Sequence, residues 1–257
     1  MILPSRAAVL RRLRPWLVPL LALALWDLGS RAGWFDPRLL PSPEAILARF
    51  RAEVANGDLG GDVAASLSRD LAGFAIGAST GVALGLLLGL SHLAERLLGP
   101  LFLAYRQVAL FAWVPLLSMW FGGNEVGKIA FISLAALAPA VVNTWRGTRE
   151  IPRTQVELAA VLTFGRLDFI RFIALPAALP AIATGLRTAL IYAWLATIGA
   201  ELFLNIAPGL GGRMNEGRET FQMDLLLTCL IVLGVLGIVF ARAATAAEAA
   251  LLRRRMA

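Results

Sequence analysis

The chain has 257 residues, of which 58% are hydrophobic and only 16% are charged, and its mean hydropathy is +0.73. Soluble domains carry about 45–50% apolar and about 25% charged residues, so this composition excludes an ordinary cytosolic enzyme and a disordered chain and predicts an integral membrane protein. The net charge of +7 comes mainly from arginines, which in a membrane protein act first as topology signals and do not imply nucleic acid as a partner.

Six stretches are apolar enough to cross a bilayer, for which about 20 mostly apolar residues are needed. Approximately, they are residues 15–30, 69–90, 99–121, 127–146, 179–204 and 225–245. The first is short enough to be the core of a signal peptide, but Trp26 and Asp27 are poor residues to follow a cleavage site, so we favour an uncleaved span. The expected fold is all-α and polytopic, with no soluble domain and with five spans as the alternative count.

The arginines predict the orientation of these spans. With six spans, the arginines before the first span, those between the fourth and fifth spans and those after the last span all lie on one side. The positive-inside rule places that side in the cytoplasm, together with both termini and the loop 147–178.

A short amphipathic helix is expected in the first external loop, at about residues 43–55. Ser42-Pro43 is typical of a helix start, and Asn56-Gly57 is typical of a stop. Apolar residues recur between them at helical spacing, which predicts a helix lying on the outer face of the membrane.

The second span carries five glycines at intervals of four residues, which lie along one face of a helix. Small residues at this spacing let two helix backbones approach closely in lipid. Two interpretations stay open, namely tight packing within the chain and a moving or dimer-forming seam. The glycines of this helix-packing seam are Gly73, Gly77, Gly81, Gly85 and Gly89.

Prolines and charges inside the spans mark a candidate substrate pathway. Pro115 and Pro139 each remove a backbone hydrogen bond, so kinks are expected there. Arg187 and Glu201 lie within the fifth span, where an ionisable residue is a candidate functional residue, and they are about 21 Å apart along a helix, too far to pair. Asn143 is a further polar residue of the fourth span.

The segment 157–176, ELAAVLTFGRLDFIRFIALP, has a structure of its own. Glu157 to Phe164 favour a helix, Gly165 is expected to break it, and an amphipathic pattern resumes at Arg166 and ends at Leu175-Pro176. A helix–turn–helix of this kind, projecting into the cytoplasm, is suited to docking a soluble partner.

This segment resembles the EAA loop of binding-protein-dependent ABC importer permeases, whose pattern is Glu-Ala-Ala, three residues, Gly, nine residues, Ile, one residue, Leu-Pro. Two positions depart from the pattern: Leu158 replaces an alanine, and Thr163 replaces the glycine, while Gly165 stands two positions later. The resemblance implies an ATPase-docking loop made of Glu157, Leu158, Ala159, Leu162, Thr163, Phe164, Gly165, Ile173, Leu175 and Pro176.

The resemblance extends to the nitrate, sulfonate and taurine branch of these permeases. It is carried by Leu40-Pro41-Ser42-Pro43, by Ser66 and Arg69, by Trp113 to Leu116 and by Gly209 to Gly212, with Ala109-Leu110 as a departure. It implies a type I ABC importer permease fold, the bacterial inner membrane, and a small oxyanion such as an aliphatic sulfonate, taurine or nitrate as the substrate. The possible substrate pathway then consists of Arg187, Glu201, Trp113, Pro115 and Asn143.

The resemblance also implies partners. Two permease copies, expected as a homodimer, would form the pathway, a cytoplasmic ATPase dimer would hold the docking loops, and an extracytoplasmic binding protein would deliver substrate. Glu157 would be a docking contact, and Leu158, Leu162 and Phe164 would fill a groove on the ATPase. The chain lacks a G-x-x-x-x-G-K-[ST] phosphate loop, so it is expected not to be an enzyme, and ATP would be used by the partner.

Two alternatives to a permease are an integral membrane enzyme and an ion-coupled secondary transporter. An integral membrane enzyme would favour clustered His, Asp or Cys residues at a membrane face, but Cys229 and His92 are isolated, so neither that chemistry nor a metal site is expected. An ion-coupled secondary transporter would favour an inverted repeat with paired acids. The docking loop discriminates best among the three functions and favours the permease.

Overall fold

A computed structural model describes residues 6–204 and 208–256, and the side chains of 17–204 and 208–253. Within these ranges the chain forms α-helices, one 3₁₀ turn (Leu110–Trp113) and one π-helical turn (Ile170–Ala174), with no strand. The helices are α1 (Arg6–Arg31), α2 (Pro43–Asn56), α3 (Asp58–Leu90), α4 (His92–Gln107), α5 (Val114–Phe121), α6 (Glu125–Arg149), α7 (Arg153–Val161), α8 (Arg166–Phe169), α9 (Leu175–Phe203), α10 (Leu210–Glu219) and α11 (Met223–Met256).

The chain divides into two compact units. The smaller contains the residues up to Gly60 together with Arg213–Ile231, and the larger contains Gly61–Gly212 together with the residues from Val232 onward. The docking loop and the predicted pathway residues all belong to the larger unit.

The core of the larger unit lies where α6 packs along α9. Small side chains dominate this contact and let the two backbones come close. Such close packing holds helices together in lipid, where the hydrophobic effect does not drive their association. The buried residues there are Phe131, Ile132, Ala135, Ala136 and Ala140 on α6, with Ala189, Ala193, Ala196 and Ala200 on α9.

The five glycines of the packing seam face α6. A Cβ atom placed on Gly81 would lie 2.6 Å from the Cβ of Ala140, and one placed on Gly85 would lie 2.6 Å from the Cβ of Thr144. Gly73, Gly77 and Gly89 meet α6 in the same way. The structure therefore uses the seam for close packing of α3 on α6 within one chain.

Among the described residues, four helices have the length and hydropathy of membrane spans: Asp58–Leu90, Glu125–Arg149, the continuous helical stretch Arg166–Phe203, and Met223–Arg253. They cover the spans predicted at 69–90, 127–146, 179–204 and 225–245. The stretch 15–30 is helical as part of α1, but it does not meet these criteria within the described residues, so its role as a first span stays a prediction.

The span predicted at 99–121 is broken. The helical pair His92–Gln107 and Leu110–Phe121 bends by 99° at Val108 and Ala109, so it crosses the membrane as a bent span or enters it as a re-entrant loop. The expected kink at Pro115 is wrong, because this proline stands in the first turn of α5, where its missing N–H costs nothing. Pro139 lies inside α6, which runs through it without interruption.

In the smaller unit, α2 begins and ends at the residues that the sequence marks. The Ser42 hydroxyl accepts a hydrogen bond from the Ala45 N–H at 3.2 Å, and Pro43 fills the first helical position. Gly57 follows the helix with φ +81°, a left-handed conformation that glycine adopts without steric cost.

Candidate functional site

A cavity of about 500 Å³ lies in the larger unit beside the break in the third predicted span. We call it the break cavity. It is lined by the end of α4, the 3₁₀ turn, the middle of α6 and two residues of α9, namely Tyr105, Arg106, Val108, Ala109, Leu110, Trp113, Leu134, Ala135, Ala138, Pro139, Val142, Asn143, Thr188 and Tyr192. Irregular backbone at membrane depth is tolerated where it lines a cavity or packs on protein, and here it does so at Val108 and Ala109.

Two polar residues of the lining are held by the backbone of α6. The Tyr105 hydroxyl donates to the Leu134 carbonyl at 2.6 Å, and the Asn143 amide donates to the Pro139 carbonyl at 2.8 Å. Arg106 is exposed, and within residues 6–204 and 208–256 it has neither a hydrogen-bond partner nor an acid paired with it. The lining is therefore apolar, with fixed polar groups and one cation.

The five predicted pathway residues lie in three places. Trp113 and Asn143 line the break cavity, whereas Pro115 is an exposed residue of α5 outside the lining. Arg187 pairs with Glu248 of α11 at 3.3 Å, so an acid on the neighbouring helix compensates its charge. Glu201 belongs to a separate group of polar residues at the opposite end of α9 from the docking loop.

This polar cluster consists of Ser66, Arg69, Glu125, Lys128 and Glu201. The Glu201 carboxylate is 3% exposed and accepts from the Arg69 guanidinium at 2.7 Å and from the Ser66 hydroxyl at 2.8 Å. Arg69 also donates twice to Glu125, once at 3.0 Å, and the Lys128 ammonium lies 3.4 Å from the same carboxylate. Buried charges need such partners, because an unpaired one costs several kcal/mol.

The polar cluster and the nearby Asp62 also bind Gly209 and the first turn of α10. The Gly211 N–H donates to Glu201 at 2.8 Å, the Leu210 N–H donates to the Ser66 hydroxyl at 3.0 Å, and the Gly209 N–H donates to Asp62 at 2.8 Å. The family resemblance pointed to Ser66, Arg69 and Gly209 to Gly212, but no pattern in the sequence connected them to Glu201. The signal that could have found the cluster is the presence of opposite charges in three separate helices of an apolar chain, namely α3, α6 and α9.

The docking loop forms α7, a tight turn, α8 and the π-helical turn, and we call residues 153–174 the coupling segment. The helix α7 ends at Val161, where the Thr163 N–H donates to the Ala160 carbonyl at 3.1 Å and the Phe164 N–H donates to the Ala159 carbonyl at 3.0 Å. These two bonds form a Schellman motif, whose left-handed residue is usually glycine. Here it is Thr163, with φ +51°.

The turn therefore lies at the position of the family's glycine, not at Gly165. The expectation that Gly165 breaks the helix is wrong, because its φ of −67° is open to any residue. Leu175-Pro176 do not end the second helix either. The Leu175 N–H bonds the Ile170 carbonyl five residues earlier, and the chain continues through Pro176 into α9.

The coupling segment exposes a row of large apolar side chains. Leu158, Val161, Leu162 and Leu167 are 55%, 79%, 52% and 81% exposed. Glu157 stands exposed beside them, while Ala159 is buried against the rest of the unit. Phe164 is half-buried and packs on Phe172 with ring centroids 6.2 Å apart, so Val161 and Leu167, which the sequence analysis did not single out, offer more free surface.

Comparisons with known proteins give one consistent picture. Residues 81–255 match the family model "Binding-protein-dependent transport system inner membrane component". The chain is 38% identical over 228 residues to the "Putative aliphatic sulfonates transport permease protein SsuC" of Escherichia coli K12, covering 89% of this chain and 86% of that protein. It is 34% identical over 221 residues to the protein of the same name from Bacillus subtilis 168, covering 86% and 80%.

A solved structure supports the same fold. A chain of the MetNI methionine ABC transporter in an inward-facing conformation superposes with a TM-score of 0.65 at 18% identity, covering 76% of this chain and 96% of that one. The predicted all-α, type I importer permease architecture is thereby confirmed.

Proposed function

Since the chain belongs to the inner-membrane components of binding-protein-dependent transport systems, we propose that it is the permease of an importer for a small oxyanion, with an aliphatic sulfonate as the first candidate substrate. The chain is a transport component and not an enzyme. The family assignment favours neither the ion-coupled transporter nor the membrane enzyme that the sequence analysis left as alternatives.

The substrate proposal is supported by the two sulfonate permease relatives, which match this chain over most of its length. Taurine and nitrate stay as further candidates from the resemblance of the sequence. Uptake into proteoliposomes that contain the permease, its ATPase and its binding protein tests the proposal. ATP-dependent accumulation of ethanesulfonate is expected, and transport of none of the three oxyanions would contradict it.

The observation that carries the coupling proposal is the exposed apolar row of the coupling segment. Exposed leucine and valine side chains in a row outside the apolar spans mark a protein contact. We propose that an ATPase subunit covers Leu158, Val161, Leu162 and Leu167 and that Glu157 makes a polar contact at the rim.

Glu157→Lys tests this coupling. The reversed charge is expected to leave the permease folded and to lower substrate-stimulated ATP hydrolysis by about tenfold or more, because a polar contact at the rim of the interface is replaced by a group of opposite charge. The measurement is ATPase activity and co-purification of the ATPase with the variant. Glu219→Lys changes another exposed acid, on α10, and is expected to behave as wild type.

The pathway is proposed to form between two copies of this chain that bind two ATPase subunits and one extracytoplasmic binding protein. Native mass spectrometry of the detergent-solubilised complex measures the stoichiometry. Two permease copies are expected for each pair of ATPase subunits, and a second, different permease chain in the complex would replace the homodimer.

The coupling segment and both termini are proposed to face the cytoplasm. A cysteine at Thr154, in the coupling segment, is expected to resist an impermeant thiol reagent in intact cells and to react after lysis. A cysteine at Thr220, just after α10, is the matched control and is expected to react in intact cells. The native Cys229 is buried and gives little background.

A further inference from the structure

We infer that the break cavity is an anion-binding site along the transport path and that Arg106 supplies its positive charge. This inference rests on the proposed function and names the residues that would meet the substrate. The ligand class is a small monoanion with an oxyanion head and a short apolar tail, such as an alkanesulfonate.

The lining of the break cavity carries a single charge. Arg106 is the one charged side chain among the described residues that line it, and the lining contains no aspartate or glutamate. Arg106 also borders a neighbouring cavity whose lining includes Arg146, Arg149 and Glu150. Arg106 is exposed and has no acid paired with it in the described part of the chain, so its guanidinium is open to a ligand that enters the cavity. An anion in the cavity is attracted to this charge, whereas a cation is repelled.

Two other arginines on the apolar helices of this unit have acidic partners within the chain. Arg69 is bound by Glu125 and Glu201, and Arg187 is bound by Glu248. These arginines have their counter-charges inside the chain. Arg106, like Arg146 and Arg242, has none within the described ranges, but of these three arginines only Arg106 lines the break cavity.

The lining also supplies further hydrogen-bond donors. The Tyr192 hydroxyl and the Trp113 indole N–H both belong to the lining, and neither has a hydrogen-bond partner in the part of the chain that the structure describes. A guanidinium offers two parallel N–H groups to two oxygens of an oxyanion, and single donors bind the remaining oxygen.

The remaining walls suit the apolar tail. Leu110, Leu134 and Val142 line the cavity, and its volume of about 500 Å³ falls within the range of about 300–1,000 Å³ that is typical of small-ligand sites. The same cavity therefore offers polar groups to the sulfonate head and apolar walls to the alkyl tail of an alkanesulfonate.

Arg106→Gln in the reconstituted complex is the main test. With whichever of ethanesulfonate, taurine and nitrate the wild-type complex accumulates, uptake is expected to fall by about tenfold to hundredfold, the range for loss of a charged hydrogen-bonding group. Hydrolysis of ATP stimulated by the binding protein is expected to stay within about twofold of wild type, because no docking surface is touched. Arg106→Lys keeps the charge, loses the paired N–H groups and is expected to fall between the two.

Arg242→Gln is the matched control, since Arg242 is an exposed arginine of the apolar helix α11 outside the cavity lining. If its uptake falls as far as that of Arg106→Gln, or if Arg106→Gln transports as wild type does, the inference is overturned. Tyr192→Phe removes a single hydroxyl at an exposed position and guards against misfolding of the arginine variant. It is expected to lower uptake by about threefold to tenfold, and unchanged uptake counts against the site.

Binding measured without transport separates the two proposals. Equilibrium dialysis of ethanesulfonate against the purified permease–ATPase complex, with no binding protein and no ATP, is expected to show saturable binding in wild type and none in Arg106→Gln. Binding of this kind without ATP-driven uptake would keep the site and reject the importer. Uptake that survives Arg106→Gln would keep the importer and reject the site.

Discussion

The two ends of α9 treat their side chains in opposite ways. At its start, the coupling segment leaves Leu158, Val161 and Leu167 exposed, and these are residues that water disfavours. At its end, the polar cluster buries Arg69 and Glu201, which are residues that water favours. The apolar side chains before the start of α9 are solvent-exposed, whereas the charged side chains at its end are buried and hydrogen-bonded to one another.

This contrast separates residues for partners from residues for the fold. Burial of the exposed apolar row is favourable, but it occurs only when another protein covers the row. Its side chains therefore contribute little to the stability of the isolated chain. A buried ion pair contributes to the isolated chain because removal of one member leaves the other desolvated and unpaired. Substitutions at the two ends should therefore change different measurements.

The largest expected effect is at the polar cluster. Glu201→Ala leaves the Arg69 guanidinium buried with one carboxylate fewer and frees the Ser66 hydroxyl and the Gly211 N–H. Such a change costs about 3–5 kcal/mol and is expected to lower the thermal midpoint in detergent strongly, measured by size-exclusion after heating. Glu157→Ala, the acid at the exposed end, is the control and is expected to shift stability by less than about 0.5 kcal/mol.

A smaller effect is expected midway along α3, where the glycine seam packs on α6. A methyl group at Gly81 meets the Ala140 Cβ at 2.6 Å, so Gly81→Ala should cost about 1–3 kcal/mol of stability through overpacking. A Cβ at Gly234 of α11 meets nothing within 4 Å, and Gly234→Ala is expected to gain up to about 1 kcal/mol from helix propensity. Equal effects of the two substitutions on the detergent melting curve would remove the seam as a packing element.

The smallest effect is expected at the turn of the coupling segment. A left-handed conformation costs a β-branched residue more than it costs glycine, so Thr163→Gly is expected to stabilise the turn by about 0.5–1 kcal/mol. Hydrogen exchange at the backbone amides of residues 163 and 164 should slow by about twofold to fivefold, with no change in exchange at the polar cluster. Gly165→Ala, at a position with ordinary φ, is expected to leave these amides unchanged, and faster exchange in Thr163→Gly would contradict the strain.

Local patterns in the sequence predicted much of the fold. The apolar stretch after Arg69 marks α3, Ser42-Pro43 marks the start of α2, and the intervals between glycines mark the face of α3 that packs on α6. Each of these features depends on neighbours within one helix. For the same reason the spacing from Glu157 to Leu175-Pro176 was enough to locate the coupling segment.

Contacts between distant segments were beyond such patterns. Arg69 meets Glu201 across 132 residues and Glu125 across 56, and nothing near Glu201 in the chain points to either. The break at Val108 and Ala109 was missed because neither residue disfavours a helix strongly, while Pro115, the obvious candidate, begins one. At Thr163 the family pattern located the turn correctly. The turn forms there although threonine disfavours the left-handed conformation that it adopts.

The π-helical turn has a mechanical consequence. Because the chain passes from Arg166 to Phe203 as one helical stretch with no loop, there is no slack between the surface offered to a partner and the far end of α9. A displacement of α8 along the axis of this helical stretch would therefore be transmitted through α9 to Glu201. The first turn of α10, whose Gly211 N–H donates to that carboxylate, would then move with α9 or lose this hydrogen bond.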